Sequence, residues 1–200
     1  MADLFSDKAK DWDVNDMVKA LSSGIGSCIL KNLELNADMH VMDFGAGTGL
    51  ITSQVAPRVR KITAVDVSQA MLEQLLAKQT LRDKVEVLCQ DITDQPLDTR
   101  FDLIMSAMAM HHVADTDKMV QRFAEHLKPG AKVALADLDK EDGSFHPADI
   151  KGVYHSGFDR QALQAIMEKH GFSDINFTTA HTVNKEGKEY PVFLLVANKP

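Results

Sequence analysis

Cysteine is scarce, with only Cys28 and Cys89 in 200 residues and no C-x-x-C spacing between them. Neither a disulfide framework nor a zinc site is expected from two such thiols, and both are read as reduced. Long apolar runs are also missing. The longest, Leu103 to Met110, contains a serine and falls far short of the roughly 18 residues needed to cross a bilayer, so no membrane partner is expected. The N-terminus has no basic start, apolar stretch and small-residue cleavage site of a secretory signal, which makes a cytoplasmic protein the expectation. No cluster of Lys or Arg interrupts a formal net charge of −7. Such a surface repels a phosphate backbone, and nucleic acid is not expected as a partner.

What is present is an alternation of two periodicities. Short β-rich runs occur at His40–Phe44, Lys61–Val65, Val85–Cys89, Phe101–Met105 and Lys132–Ala136. They are too apolar for half-exposed hairpins and suit a parallel sheet covered on both faces. Between them lie helical stretches: Met71, Leu72, Leu75 and Leu76 form a stripe after the N-cap Ser68, and Met119, Val120, Phe123 and Leu127 form another after Asp115. Lys10–Leu33 reads as one helix before the first strand. Arg160–His170 reads as a helix stopped by Gly171, and Asp174–Thr182 and Tyr190–Asn198 as strands around a turn at Asn184–Glu189. The expected architecture is α/β, a doubly wound, Rossmann-like seven-stranded sheet, mostly parallel with an antiparallel C-terminal strand pair. One domain over 1–200 is expected, with a helical lid at 1–36, a cofactor-binding core at 37–140 and a closing helix and strands at 141–200.

The chemistry gathers at the ends of the early strands. Asp43-Phe-Gly45-Ala-Gly47-Thr-Gly49 follows the first strand and precedes a helical run. Glycines at alternate positions let the backbone bend sharply and let a ligand approach main-chain N–H groups. The pattern G-x-G-x-G departs from the dinucleotide fingerprint, which needs glycine where Leu50 stands. Asp43 would set negative charge beside a pyrophosphate and suits a cation better. Asp66, ~20 residues further on at the end of the second strand, can accept hydrogen bonds from both hydroxyls of a ribose. Asp91 follows the third strand, where an adenine amino group could lie.

These segments, V-M-D-F-G-A-G-T-G-L, I-T-A-V-D-V-S-Q-A-M-L, C-Q-D-I, F-D-L-I-M-S-A-M-A-M-H-H-V and L-K-P-G, together resemble the class I S-adenosylmethionine-dependent methyltransferases, in the small-molecule branch of type 11 or 25. The resemblance runs from about Trp12 to the C-terminus. It implies S-adenosylmethionine as cofactor and S-adenosylhomocysteine as product. Gly45, Ala46 and Gly47 would line the methionine moiety and Asp43 would help hold its ammonium. Asp66 would bind the ribose, Val67, Ser68 and Met71 would flank the adenine, and Asp91 and Ile92 would meet its amino edge and ring. Ser106 and Ala107 would floor the site, and Trp12 would belong to a lid over the sulfonium.

A sulfonium is an activated leaving group, so the protein has mainly to align an acceptor and exclude water. A protic acceptor must still lose a proton, for which neutral histidine is suited near pH 7. His111, His112 and His155 are the candidates. The alternative is that His111 packs on the cofactor while His112 caps the next helix, and His146 reads as a loop residue. Asp137, Asp139, Glu141 and Asp142 read as a solvated acidic loop, and no metal is expected. Met105, Met108 and Met110 suit either an acceptor pocket or the core. Ser106-Ala107-Met108-Ala109 stands where enzymes acting on planar amino groups resemble one another in an N/D-P-P-Y/F tetrad, which demotes DNA and glutamine substrates. The expected activity is methyl transfer to a small-molecule acceptor. A nicotinamide-dependent oxidoreductase and a non-catalytic cofactor-binding module remain as alternatives, and the oligomeric state is not legible.

Overall fold

The computed structural model describes residues 3–147 and 149–200. Seven strands, β1 (His40–Phe44), β2 (Lys61–Asp66), β3 (Val85–Cys89), β4 (Phe101–Ala107), β5 (Leu127–Leu138), β6 (Ser173–Lys185) and β7 (Lys188–Asn198), form one sheet in the order β3-β2-β1-β4-β5-β7-β6. β1 to β5 pair in parallel, and β7 runs antiparallel to both β5 and β6. This is the expected doubly wound sheet with an antiparallel closing pair. The strands extend beyond the apolar runs that signalled them: β5 begins at Leu127, passes through an irregular stretch opposite Phe101 and Leu103, and pairs regularly from Lys132.

Five helices cover the sheet: α1 (Asp16–Asn32), α2 (Leu50–Val55), α3 (Gln69–Leu76), α4 (Thr116–His126) and α5 (Arg160–Lys169). Alternation along β1 assigns the layers. Val41 enters a core shared with Ile25, Ile29 and Val55, while Met42 enters the opposite core with Met119, Phe123 and Met167. Both side chains are fully buried, and a Leu or Met of this kind contributes on the order of 1.5–3 kcal/mol through burial.

The expected continuous helix over Lys10–Leu33 is divided. Ala9–Val14 forms a 3₁₀ turn, and Asn15, extended at φ −70° and ψ 116°, caps α1 by accepting from the amides of Met17 and Val18 at 3.0 and 3.1 Å. The Asn15 side chain competes with the backbone for those two N–H groups, so a capping residue inside an apolar periodicity marks a helix start. As a result, α1 packs on α2 and β6 through Leu21, Ile25 and Ile29, and residues 3–14 are left to cross the carboxyl ends of the strands. Ser68, Asp115 and Asp159 cap α3, α4 and α5 through their side chains. β6 and β7 are joined by Glu186 and Gly187, at φ 53° and 80°, the paired positive angles of a tight hairpin turn.

Candidate active site

The strand order reverses between β1 and β4, and the crevice outside their carboxyl ends is where open α/β sheets bind ligands. The glycine turn stands there. Gly45 and Ala46 both donate to the carbonyl of Val65, at 2.8 and 3.1 Å, which locks the turn to β2. Gly45 adopts φ 68°, and a Cβ on it would lie 2.2 Å from that of Ala109, so the segment after β4 sits directly on this glycine. Gly47 adopts φ 53° but faces open space.

Asp66 joins two ligand-facing segments. One carboxylate oxygen accepts from the Gly47 amide at 2.7 Å and the other from the Ser68 amide at 2.8 Å. Burial raises its pKa, against these backbone donors. Each oxygen keeps lone pairs for further donors. Asp43 is buried and accepts from the Thr52 hydroxyl. Desolvation, with the Asp66 charge adding to it, pushes its pKa up to about 7. A carboxylate in that condition is one that a nearby cation would return to its charged form.

The other sequence candidates occupy distinct places. Ser68 is buried and caps α3, Met71 is buried beneath it, and Val67 between the two strands' ends is 60% exposed. Asp91 turns the chain after β3 by accepting from the amide and hydroxyl of Thr93, and Ile92 lies fully buried among Phe44, Val65 and Met110. Ser106 is buried with no hydrogen-bond partner for its hydroxyl, and Ala107 beside it is partly covered. A glycine with open space beside it, a buried carboxylate served only by the hydroxyl and backbone of Thr52 among the described residues, and an orphaned buried hydroxyl on one crevice fit a ligand carrying both a cation and hydrogen-bonding groups.

Residues 3–14 cover this crevice. The Asp3 carboxylate accepts from the Ser68 hydroxyl at 2.9 Å, and Asp13 accepts from the Thr48 hydroxyl at 2.5 Å and pairs with Lys78 at 2.7 Å. Trp12 is partly buried, with its ring edge-on to Phe5 at 6.4 Å, and Phe5 in turn meets His112 edge-on at 5.1 Å. No sequence signal distinguished Asp3, Phe5 or Asp13, because their roles arise only from the break at Asn15 that turns this segment over the site.

The histidines divide into two groups. His111, His112 and His146 form one cluster, with ring centroids 4.1, 5.0 and 6.3 Å apart. His146, expected as a loop residue, is thereby placed within it. Nδ1 of His111 lies 2.8 Å from a carboxylate oxygen of Asp137, and Nδ1 of His112 lies 2.6 Å from the Gly152 carbonyl. Burial, reinforced by the neighbouring His111, lowers the His112 pKa to about 4, and burial does the same for His146. His155 is engaged elsewhere, between the Val113 carbonyl and the Thr116 hydroxyl at 2.9 and 3.2 Å. Asp115, and not His112, caps α4.

The expected solvated acidic loop is corrected in two places. Asp137 is fully buried at the end of β5, and Asp139 makes a two-pronged pair with Arg160 at 2.7 and 2.8 Å. β5 runs to Leu138, so Asp137 lies on the strand, where burial demands partners, and Asp139 directly follows it in an isolated bridge with Phe158. Of the three methionines, Met105 and Met110 are fully buried in the two cores, and Met108, at φ 55°, is partly buried. Two surface hollows lie away from the crevice. One of about 270 Å³ at the amino end of β4 is lined by Arg100, Gln121 and Lys199 among others.

A family model described as a methyltransferase domain matches residues 41–130. A methyltransferase of Schizosaccharomyces pombe is 29% identical over 173 residues, covering 78% of this chain and 59% of that protein. The ubiquinone biosynthesis O-methyltransferase of Coxiella burnetii is 31% identical over 144 residues, covering 68% of this chain and 60% of that protein. The chain thus spans about three fifths of the length of these two relatives. In structure it resembles the N-methyltransferase NodS of Bradyrhizobium japonicum bound to S-adenosylhomocysteine, with a TM-score of 0.74 at 14% identity over 99% of this chain and 95% of that one. It also resembles a chain from the complex of the Haloferax volcanii Trm112 activator with a methyltransferase, with a TM-score of 0.82 at 17% identity over 100% of this chain and 99% of that one. Residues 41–130 carry a methyltransferase domain, and the chain has the fold of these methyltransferase structures. Structures with this fold are recorded with S-adenosylmethionine or S-adenosylhomocysteine bound.

Proposed function

We propose that the chain moves a methyl group from S-adenosylmethionine to a small-molecule acceptor by in-line displacement. The observation that carries this reading is the convergence of Asp43, the Gly45–Gly47 turn and Asp66 at the β1/β4 switch point, with a buried unpartnered hydroxyl on Ser106. Asp66, held by Gly47 and Ser68, presents its remaining lone pairs to the ribose. Asp43 neutralises the ammonium of the methionine moiety. Gly45 and Ala46 let that moiety lie against the backbone, and Ala107 with Ser106 closes the floor. Val67, Ser68 and Met71 border the adenine on one side, and Asp91 and Ile92 on the other. The segment 3–14, with Trp12, serves as the lid that excludes water. The bound sulfonium supplies an activated methyl group, so the residues around it have mainly to orient and dehydrate the reactants.

An acidic chain supports a small acceptor over nucleic acid, and the printed name of the Coxiella relative, a ubiquinone biosynthesis O-methyltransferase, supports the same reading. Calorimetric titration with S-adenosylmethionine, S-adenosylhomocysteine and NAD tests it. Saturable binding of the two sulfur ligands with none of NAD is expected, and a preference for NAD would sink the proposal. High cofactor affinity with no methyl transfer to any metabolite in an extract would instead favour a binding module.

A further inference from the structure

Resting on that reading, we infer that His111, oriented by Asp137, is the general base of this site, and that the acceptor is a planar, uncharged molecule bearing a phenolic or enolic hydroxyl. The geometry begins at Asp137. It is fully buried at the end of β5, and its carboxylate collects three donors: the His111 ring at 2.8 Å, the His111 amide at 3.2 Å and the Leu138 amide at 2.8 Å. The carboxylate can only accept, so the ring nitrogen facing it carries the proton, and Nε2 is the atom with the free lone pair. Among the described residues the His111 ring is hydrogen-bonded at Nδ1, to Asp137. Asp137 follows Ala136, which pairs with Ala107 at the end of β4, so the dyad stands on the same carboxyl edge of the sheet as the glycine turn, with β4 between β5 and β1. Ala109, two residues before His111, lies on Gly45.

The surroundings define the acceptor. His112 and His146 lie against His111, and both are held neutral at pH 7 by burial. Phe5 closes on His112 from the lid, and Phe145 meets His146 edge-on at 4.9 Å. The charged groups acting on this cluster are Asp137 on β5, Glu141 beyond it and Lys185 on β6, whose ammonium donates to the Phe145 carbonyl and lies over the Phe145 ring. The flat histidine and phenylalanine rings gathered here favour a planar acceptor without formal charge, and no guanidinium stands among them to pair a phosphate or carboxylate.

The step balances without a further reactant. The acceptor hydroxyl gives its proton to Nε2 of His111, its oxygen bonds to the methyl carbon, and the sulfur keeps the electron pair of the broken C–S bond. The imidazolium so formed faces Asp137, which is a positioning residue and touches no reactant.

The test combines binding, tautomer and turnover. Two-bond proton–nitrogen spectra of the wild-type rings, with and without S-adenosylhomocysteine and assigned with His111→Gln, should show His111 protonated at Nδ1 and bare at Nε2. The reverse tautomer overturns the proposal. Methyl transfer from labelled S-adenosylmethionine is then measured to catechol, p-cresol and benzylamine. The phenols should be methylated in preference to the amine. His111→Gln and Asp137→Asn should each lower kcat by about 10²–10⁴-fold, with KM for the phenol and affinity for S-adenosylhomocysteine moving less than threefold. Should Asp137→Asn fail to fold, His111→Gln decides alone. Retained kcat in His111→Gln, preference for benzylamine, or cofactor binding with no transfer to either phenol overturns the inference. Absence of S-adenosylhomocysteine binding in the wild type overturns instead the reading on which it rests.

Discussion

The Asp43 carboxylate and the Thr52 hydroxyl meet inside the core at the end of β1, where the Thr52 backbone also donates to Asp43. With its pKa at about 7 in the fold and near 3.9 when unfolded, Asp43 keeps its proton in the native state after the unfolded chain has lost it. Its contribution therefore favours folding below about pH 4, and stability falls as pH rises from 4 to 7, by up to about 4 kcal/mol. Asp43→Asn should remove that loss, raising stability at pH 8 relative to wild type in denaturant titrations. A bound cation favours the ionised form, so cofactor binding should release a proton and weaken as pH drops below 7. Calorimetry in buffers of different ionisation enthalpy reads that proton directly.

His112 acts with the opposite sign. Its pKa of about 4 lies below the unfolded value near 6.5, so its contribution is complete above pH 6.5 and disappears as pH falls to 4, on the order of 3 kcal/mol. His112→Gln should flatten the acid limb of the stability curve between pH 6.5 and 4. An unchanged limb in thermal melts would assign the acid sensitivity to other groups.

Asp66→Ala should weaken S-adenosylhomocysteine binding by about 1–3 kcal/mol through lost hydrogen bonds to a charged acceptor. Asp66→Asn should weaken it too, since an amide that accepts from one of the Gly47 and Ser68 amides turns its own N–H groups toward the other. Equal affinity in all three proteins, measured by calorimetry, would refute the ribose role.

Gly45 and Gly47 separate stability from binding. Gly45→Ala combines a positive φ with a 2.2 Å approach to Ala109 and should lower stability by about 1–3 kcal/mol. Gly47→Ala meets no atom, so it should cost only about 1–2 kcal/mol of backbone strain while reducing cofactor affinity further, because its methyl projects into the crevice. Paired denaturation and titration experiments distinguish the two.

Asp13→Ala removes the contacts of the covering segment to Thr48 and Lys78. Faster amide exchange over residues 5–14 and faster dissociation of S-adenosylhomocysteine are expected, with the global melting temperature little changed.

Much of the sheet was legible because strands buried on both faces have no polar positions to blur them, and because Ser68 and Asp115 sit where helix caps must. The glycine turn and Asp66 were legible for a related reason: their spacing is set by local geometry. The histidine cluster was only half visible. His111 and His112 stand out beside β4, but Asp137 and His146 join them across 26 and 35 residues of intervening chain, and no local pattern encodes a contact made by sheet register. The break between residues 9–14 and α1 was not legible because the apolar spacing runs through Asn15, where a side-chain cap overrides periodicity.

β7 is made last among the strands yet lies between β5 and β6. Until residue 198 has emerged from the ribosome, β6 has no neighbour in the sheet and β5 offers a bare edge on the side away from β4. The half of the sheet that carries Asp137 is thus assembled in a single late event, and nascent chains shorter than this should be held by chaperones or remain prone to pairing with one another.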